Sequence, residues 1–100
     1  MEVFSHEEGD VRAFSLKGRL EFGDYPDASL VTEAFESSKI NQVVIDLSEL
    51  VFMDSAGVGL LIGLNKAAEE RGTRMTLRGA TGAVKELIDL FQLDTVFDVQ

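Results

Sequence analysis

Apolar and polar residues alternate along Val3 to Ser5 and again along Val11 to Lys17, with Glu8-Gly9-Asp10 between them. A period of two around a glycine-bearing turn predicts an antiparallel hairpin with one wet face. Gly18 to Gly23 reads as a connection. Asp24 as a capping acid, with Pro26 and Asp27 in the first turn, starts a helix whose Leu30, Val31, Ala34 and Phe35 share one face. Ser37, Ser38, Lys39 and Asn41 end it.

Val43, Val44 and Ile45 are consecutive β-branched residues, the pattern of a strand covered on both faces in a parallel or mixed sheet. The segment Asp46 to Met53 is expected to carry the chain out of the sheet, with Leu47, Leu50, Val51 and Phe52 covering the layer below. A second helix is predicted from near Ser55 to Arg71, stopped by Gly72, buried at its apolar start and emerging along its polar second half. Met75 and Leu77 alternate with Arg74, Thr76 and Arg78, which predicts a half-buried strand reached by a helical crossover, with Arg74 and Arg78 on one face. Thr81 caps a third helix with Val84, Leu87, Ile88 and Phe91 at helical spacing, and Leu93 to Val99 adds a short strand. The order predicts one α/β domain over residues 1–100, a mixed sheet of about four to five strands with about three to four helices packed on it.

Composition narrows the function classes. The hydrophobic share of 45% and charged share of 27% are those of an ordinary globular chain. The net charge of −9, with its basic residues scattered, leaves no footprint for a phosphate backbone, so nucleic acid is not an expected partner. No apolar run approaches the roughly 20 residues of a spanning helix, and the amino terminus lacks the basic-then-apolar pattern of a leader. The expected setting is cytoplasmic, away from the membrane. With no cysteine and a lone His6, neither a disulfide nor a metal site is expected, and no cofactor is implied.

Candidate chemistry gathers in the turn Asp54-Ser55-Ala56-Gly57 between the central strand region and the second helix. Gly57, Gly59 and Gly63 do not have the spacing of a dinucleotide fingerprint, and a P-loop's Lys and Ser/Thr are missing. Gly59 and Gly63, one turn apart, are instead expected to let the helix lie close against the sheet. Ser55 lacks the frame of a nucleophile elbow and a histidine within evident reach, so no catalytic residue is assigned. Either Asp54 or Ser55 can cap the helix; if Asp54 does so, the Ser55 hydroxyl stays free.

Asp54-Ser55-Ala56-Gly57-Val58-Gly59, preceded by Val44-Ile45-Asp46-Leu47-Ser48 and Phe52-Met53, resembles the signature of STAS domains, in particular of bacterial anti-sigma factor antagonists. Gly18-Arg19-Leu20-Glu21 resembles that family's Gly-Glu-Leu-Asp turn, and Ala83-Val84 to Leu93 resembles its last helix. Arg19 and Glu21 stand where Glu and Asp are usual, and Ala56 stands where many members have a second Ser or Thr.

The resemblance implies a non-enzymatic partner switch. Ser55 would be phosphorylated by an anti-sigma factor that is also a serine kinase of the histidine-kinase-like ATPase fold, and a PP2C-type phosphatase would remove the phosphate. Unphosphorylated, the protein would bind that kinase. Glu21, Asp24, Asp54, Ser55, Ala56, Gly57 and Val58 are the implied partner-binding residues. The alternative is an unmodified STAS subunit of a transporter or larger signalling assembly.

Overall fold

The computed structural model describes residues 2–21 and 39–100. Five strands form one sheet in the order β1-β2-β3-β4-β5: β1 (Glu2–Glu8), β2 (Val11–Leu20), β3 (Gln42–Met53), β4 (Arg74–Arg78) and β5 (Asp98–Val99). The pair β1–β2 is antiparallel, and every later pair is parallel. Helix α1 (Ser55–Glu70) connects β3 to β4, and α2 (Gly82–Leu90) followed by a 3-10 turn (Leu93–Thr95) connects β4 to β5. This is the mixed sheet the pattern predicts. The helix predicted from Asp24 lies outside the described residues, so α1 and α2 are the two α-helices among those described.

Strand pleating assigns the two faces. Phe14, Ile45 and Leu77 are ladder partners and all are buried in the core, together with Val58 and Leu61 of α1 and Val84 and Ile88 of α2. The opposite face carries Ala13, Val44, Thr76 and Asp98 in one row. Polar groups are paired there: Arg74 donates to Asp98 at 2.9 Å, Gln42 to Thr76 at 3.1 Å, Thr76 to Asp98 at 3.2 Å and Arg78 to Asp46 at 3.3 Å. Arg74 and Arg78 do share this face. Thr76 is nevertheless buried, so β4 is covered on both faces rather than half-buried as its alternation suggests.

Several expectations on the strands need correction. Asp46 to Met53 does not leave the sheet: β3 runs unbroken to Met53, and β2 runs through the supposed connection to Leu20. The two stay paired through Gly18↔Leu50, Arg19↔Phe52 and Leu20↔Met53. Register shifts between Ser15 and Lys17 and between Gly18 and Arg19 absorb the broken alternation, and Gly18 takes φ +100 at the second of them. Leu47 and Leu50 therefore both point into the core although three residues apart, whereas Val51 is 69% exposed and covers nothing. The stretch Leu93 to Val99 is a 3-10 turn and a two-residue strand instead of one strand. In α2, Phe91 falls at the C-cap and remains exposed while Val84 and Ile88 are buried.

Candidate functional site

The turn after β3 is fastened by backbone bonds. The Asp54 N–H donates to the Leu20 carbonyl at 3.3 Å, tying the start of α1 to the end of the neighbouring strand. The Asp54 carbonyl accepts from Val58 N–H at 3.0 Å, and the Asp54 carboxylate accepts from Gly57 N–H at 2.7 Å. Asp54, in extended conformation, is thus the N-cap, and the cap choice that the sequence leaves open falls to it. Ser55 is the first helical residue and is exposed, with its hydroxyl not needed for capping.

Beneath the turn the fit is close. A Cβ at Gly57 would lie 2.5 Å from the Leu20 carbonyl oxygen and 2.8 Å from Met53 Cγ, so only glycine lets the helix sit on the ends of β2 and β3. Val58 follows it into the core. The buried residues Gly57, Val58, Leu61, Leu64, Asn65 and Ala68 form one stripe. The glycines expected to allow close packing, Gly59 and Gly63, do not: both are exposed, and an added Cβ would meet nothing within 4 Å. The start of α1 is also not buried all round, since Ile62 is 41% exposed, and the polar second half hides Asn65, which donates to the Val96 carbonyl at 3.3 Å.

The outer face of α1 therefore presents Ser55, Gly59, Ile62 and Gly63, a low-relief surface that the sequence reading missed. A helical wheel anchored on Gly57 and Val58 as inward residues would have found it. Of the predicted partner-binding residues, Ser55 is exposed, Asp54 and Ala56 are half-buried, and Gly57 and Val58 are buried beneath that surface. Asp24 lies outside the described residues. Glu21 follows the strand that holds the turn and is ion-paired with Arg19, whose guanidinium stacks on the Phe52 ring 4.0 Å from its centroid.

The helix start can tolerate an anion at Ser55, although the Asp54 carboxylate stands beside it. The first N–H groups of a helix lack intrahelical acceptors and carry its positive dipole end, and at α1 only the Gly57 donor is taken by the cap. Further back along β3, burial pushes the Asp46 carboxyl up, but hydrogen bonds from the Ser48 side chain and N–H and the Arg78 guanidinium outweigh it and hold the group below its ordinary value. Among the described residues no helix is long and apolar enough to cross a membrane, and no three His, Cys, Asp or Glu side chains group as metal ligands.

The fold has counterparts in known proteins. The family model of the STAS domain matches residues 5–100. The anti-sigma F factor antagonist of Paenibacillus polymyxa is 30% identical over 69 residues, which is 66% of this chain and 59% of that protein, so the match spans less than two thirds of the relative. A putative anti-sigma factor antagonist from Thermotoga maritima has a similar structure, with TM-score 0.85 at 18% identity over 97% of this chain and 84% of that one. The Bacillus cell fate determinant SpoIIAA in its phosphorylated form superposes with TM-score 0.75 at 18% identity, over 99% and 91% of the two chains. A sulfate transporter family protein from Wolinella succinogenes gives TM-score 0.76 at 18% identity, over 90% and 75%. At such identities these structures are alike in fold.

Proposed function

The chain belongs to the STAS domain family, and from that premise we propose that it is an anti-sigma factor antagonist whose partner binding is switched by phosphorylation of Ser55. The observation that carries this reading is the division of labour in the turn: Asp54 caps α1, and Ser55 stands exposed beside it at the first helical position. The name of the Paenibacillus polymyxa relative and the phosphorylated form of SpoIIAA support the same reading. A phosphate on Ser55 would add about −1.5 to −2 charges where the helix end tolerates an anion, leaving the core beneath untouched. A partner that covers the neutral turn would then have to desolvate a dianion, and driving an equilibrium from 1:99 to 99:1 takes about 5.5 kcal/mol. The switch acts on the surface, without unfolding and without catalysis by this chain.

The partner in this reading is an anti-sigma factor with serine kinase activity, reversed by a PP2C-type phosphatase, in the cytoplasm. Glu21 and Asp24 are further candidate docking residues in this reading. The test is incubation with a cognate kinase and ATP followed by mass spectrometry, which should find one phosphate on Ser55 and none in Ser55→Ala. Ser55→Asp should bind the kinase more weakly than wild type, while Ser55→Ala binds as wild type; equal binding by all three would overturn the proposal. The fold likeness to a transporter family protein favours a second reading, a STAS subunit of a larger assembly whose turn only packs. In that case Ser55 stays unmodified in the same experiment.

A further inference from the structure

We infer that β1 is a docking edge for an extended basic segment of another protein, which adds to the sheet as a further strand. This edge is one end of the strand order and does not include Ser55. Among the described residues β1 is the outermost strand, and it pairs with β2 in unbroken register from Glu2↔Lys17 to Glu8↔Val11. Such an edge offers a row of backbone donors and acceptors to any passing strand, and proteins ordinarily blunt it with lysine, proline or a bulge. β1, Glu-Val-Phe-Ser-His-Glu-Glu, has no lysine, proline or bulge, and the charges that guard it are all acidic, which repels an acidic strand and admits a basic one. Six of its seven residues are exposed, Phe4 at 53%.

The side chains select the occupant. By alternation Glu2, Phe4, His6 and Glu8 share one face, the polar-paired face of the sheet, so an apolar ring and an imidazole lie between two carboxylates. On the other face Glu7 is already ion-paired with Arg12. A second copy of this chain fits poorly, because antiparallel pairing centred on Ser5 sets Glu2 of each copy against Glu8 of the other, and like charges directly opposite destabilise a strand pair. A segment with a basic residue opposite Glu2 and another opposite Glu8, and a β-branched residue opposite Phe4, complements these three side chains. Main-chain bonds would supply affinity and the alternate side chains specificity.

The probe is the end-blocked peptide Thr-Lys-Thr-Thr-Thr-Val-Thr-Lys-Thr, which in antiparallel register sets its lysines against Glu8 and Glu2 and its valine against Phe4. Titrated into the full chain, it should shift and protect the β1 amides in NMR spectra while those of α1 and α2 stay in place. The same peptide with Glu for Lys should bind roughly tenfold more weakly, and Glu2→Lys combined with Glu8→Lys should reverse that preference. Both glutamates are exposed, and an unchanged α1 spectrum verifies that the double variant folds. Three results overturn the inference: no β1 shift with the lysine peptide, equal response to both peptides, or self-association of the chain through β1 in sedimentation.

Discussion

Gly57 and Gly59 stand two residues apart in α1, and an added methyl group meets the Leu20 carbonyl at one and open space at the other. The inward side of the turn is specified by contact: Gly57 on Leu20 and Met53, Val58 in the core, and Asp54 bound to Gly57 N–H and to the end of β2. On the outward side Ser55, Gly59, Ile62 and Gly63 are exposed, and among the described residues an added Cβ at Gly59 or Gly63 meets nothing within 4 Å. The difference teaches that one helical turn can be rigid where it touches the sheet and chemically free where it faces out. A modification on the free side, as proposed for Ser55, would therefore change what a partner meets without changing what the core holds.

Substitutions along the turn can break or sharpen this contrast. The largest effect is expected at Gly57→Ala: its Cβ would run into the Leu20 backbone carbonyl, which cannot swing aside, as well as Met53 Cγ, so a loss of about 2 kcal/mol or more in chemical denaturation is expected. Stability close to wild type would mean that the helix is not seated as tightly as described. Asp54→Ala should cost about 1 kcal/mol by removing the cap, with Asp54→Asn or Asp54→Ser recovering most of it in the same assay. Gly59→Ala should go the other way, raising stability by about 0.5–1 kcal/mol, because the methyl has room and glycine is a poor helix former. Smallest of all, Ser55→Ala should change the unfolding free energy by less than about 0.5 kcal/mol, since its hydroxyl is exposed and does not cap the helix. A larger loss there would assign Ser55 a structural role and dissolve the division between the two sides.

Much of the architecture was legible in the chain. The hairpin alternation, the β-branched run Val43 to Ile45, and the helix bounded by the turn at Asp54 and by Gly72 each became the element they predict. The misreadings share one cause. Between Asp46 and Met53 the alternation fails locally because β3 carries an extra residue at each of two register shifts against β2, and the pairing resumes after each, which no single-strand pattern reveals. Likewise three glycines in one helix look equivalent in sequence, and only the position of β2 distinguishes Gly57 from Gly59 and Gly63.

The sequence by itself determined the candidate site, because a polar Asp-Ser pair between two apolar runs has few places to go except a strand–helix turn at the rim of a core. It also marked a helix start whose own backbone dipoles would tolerate an anion. Tertiary structure alone decided which of Asp54 and Ser55 caps, which glycine is indispensable, and which face of α1 is open. Those outcomes turn on a neighbouring strand remote in sequence, whose Leu20 carbonyl fixes both the Asp54 N–H and the space left at Gly57.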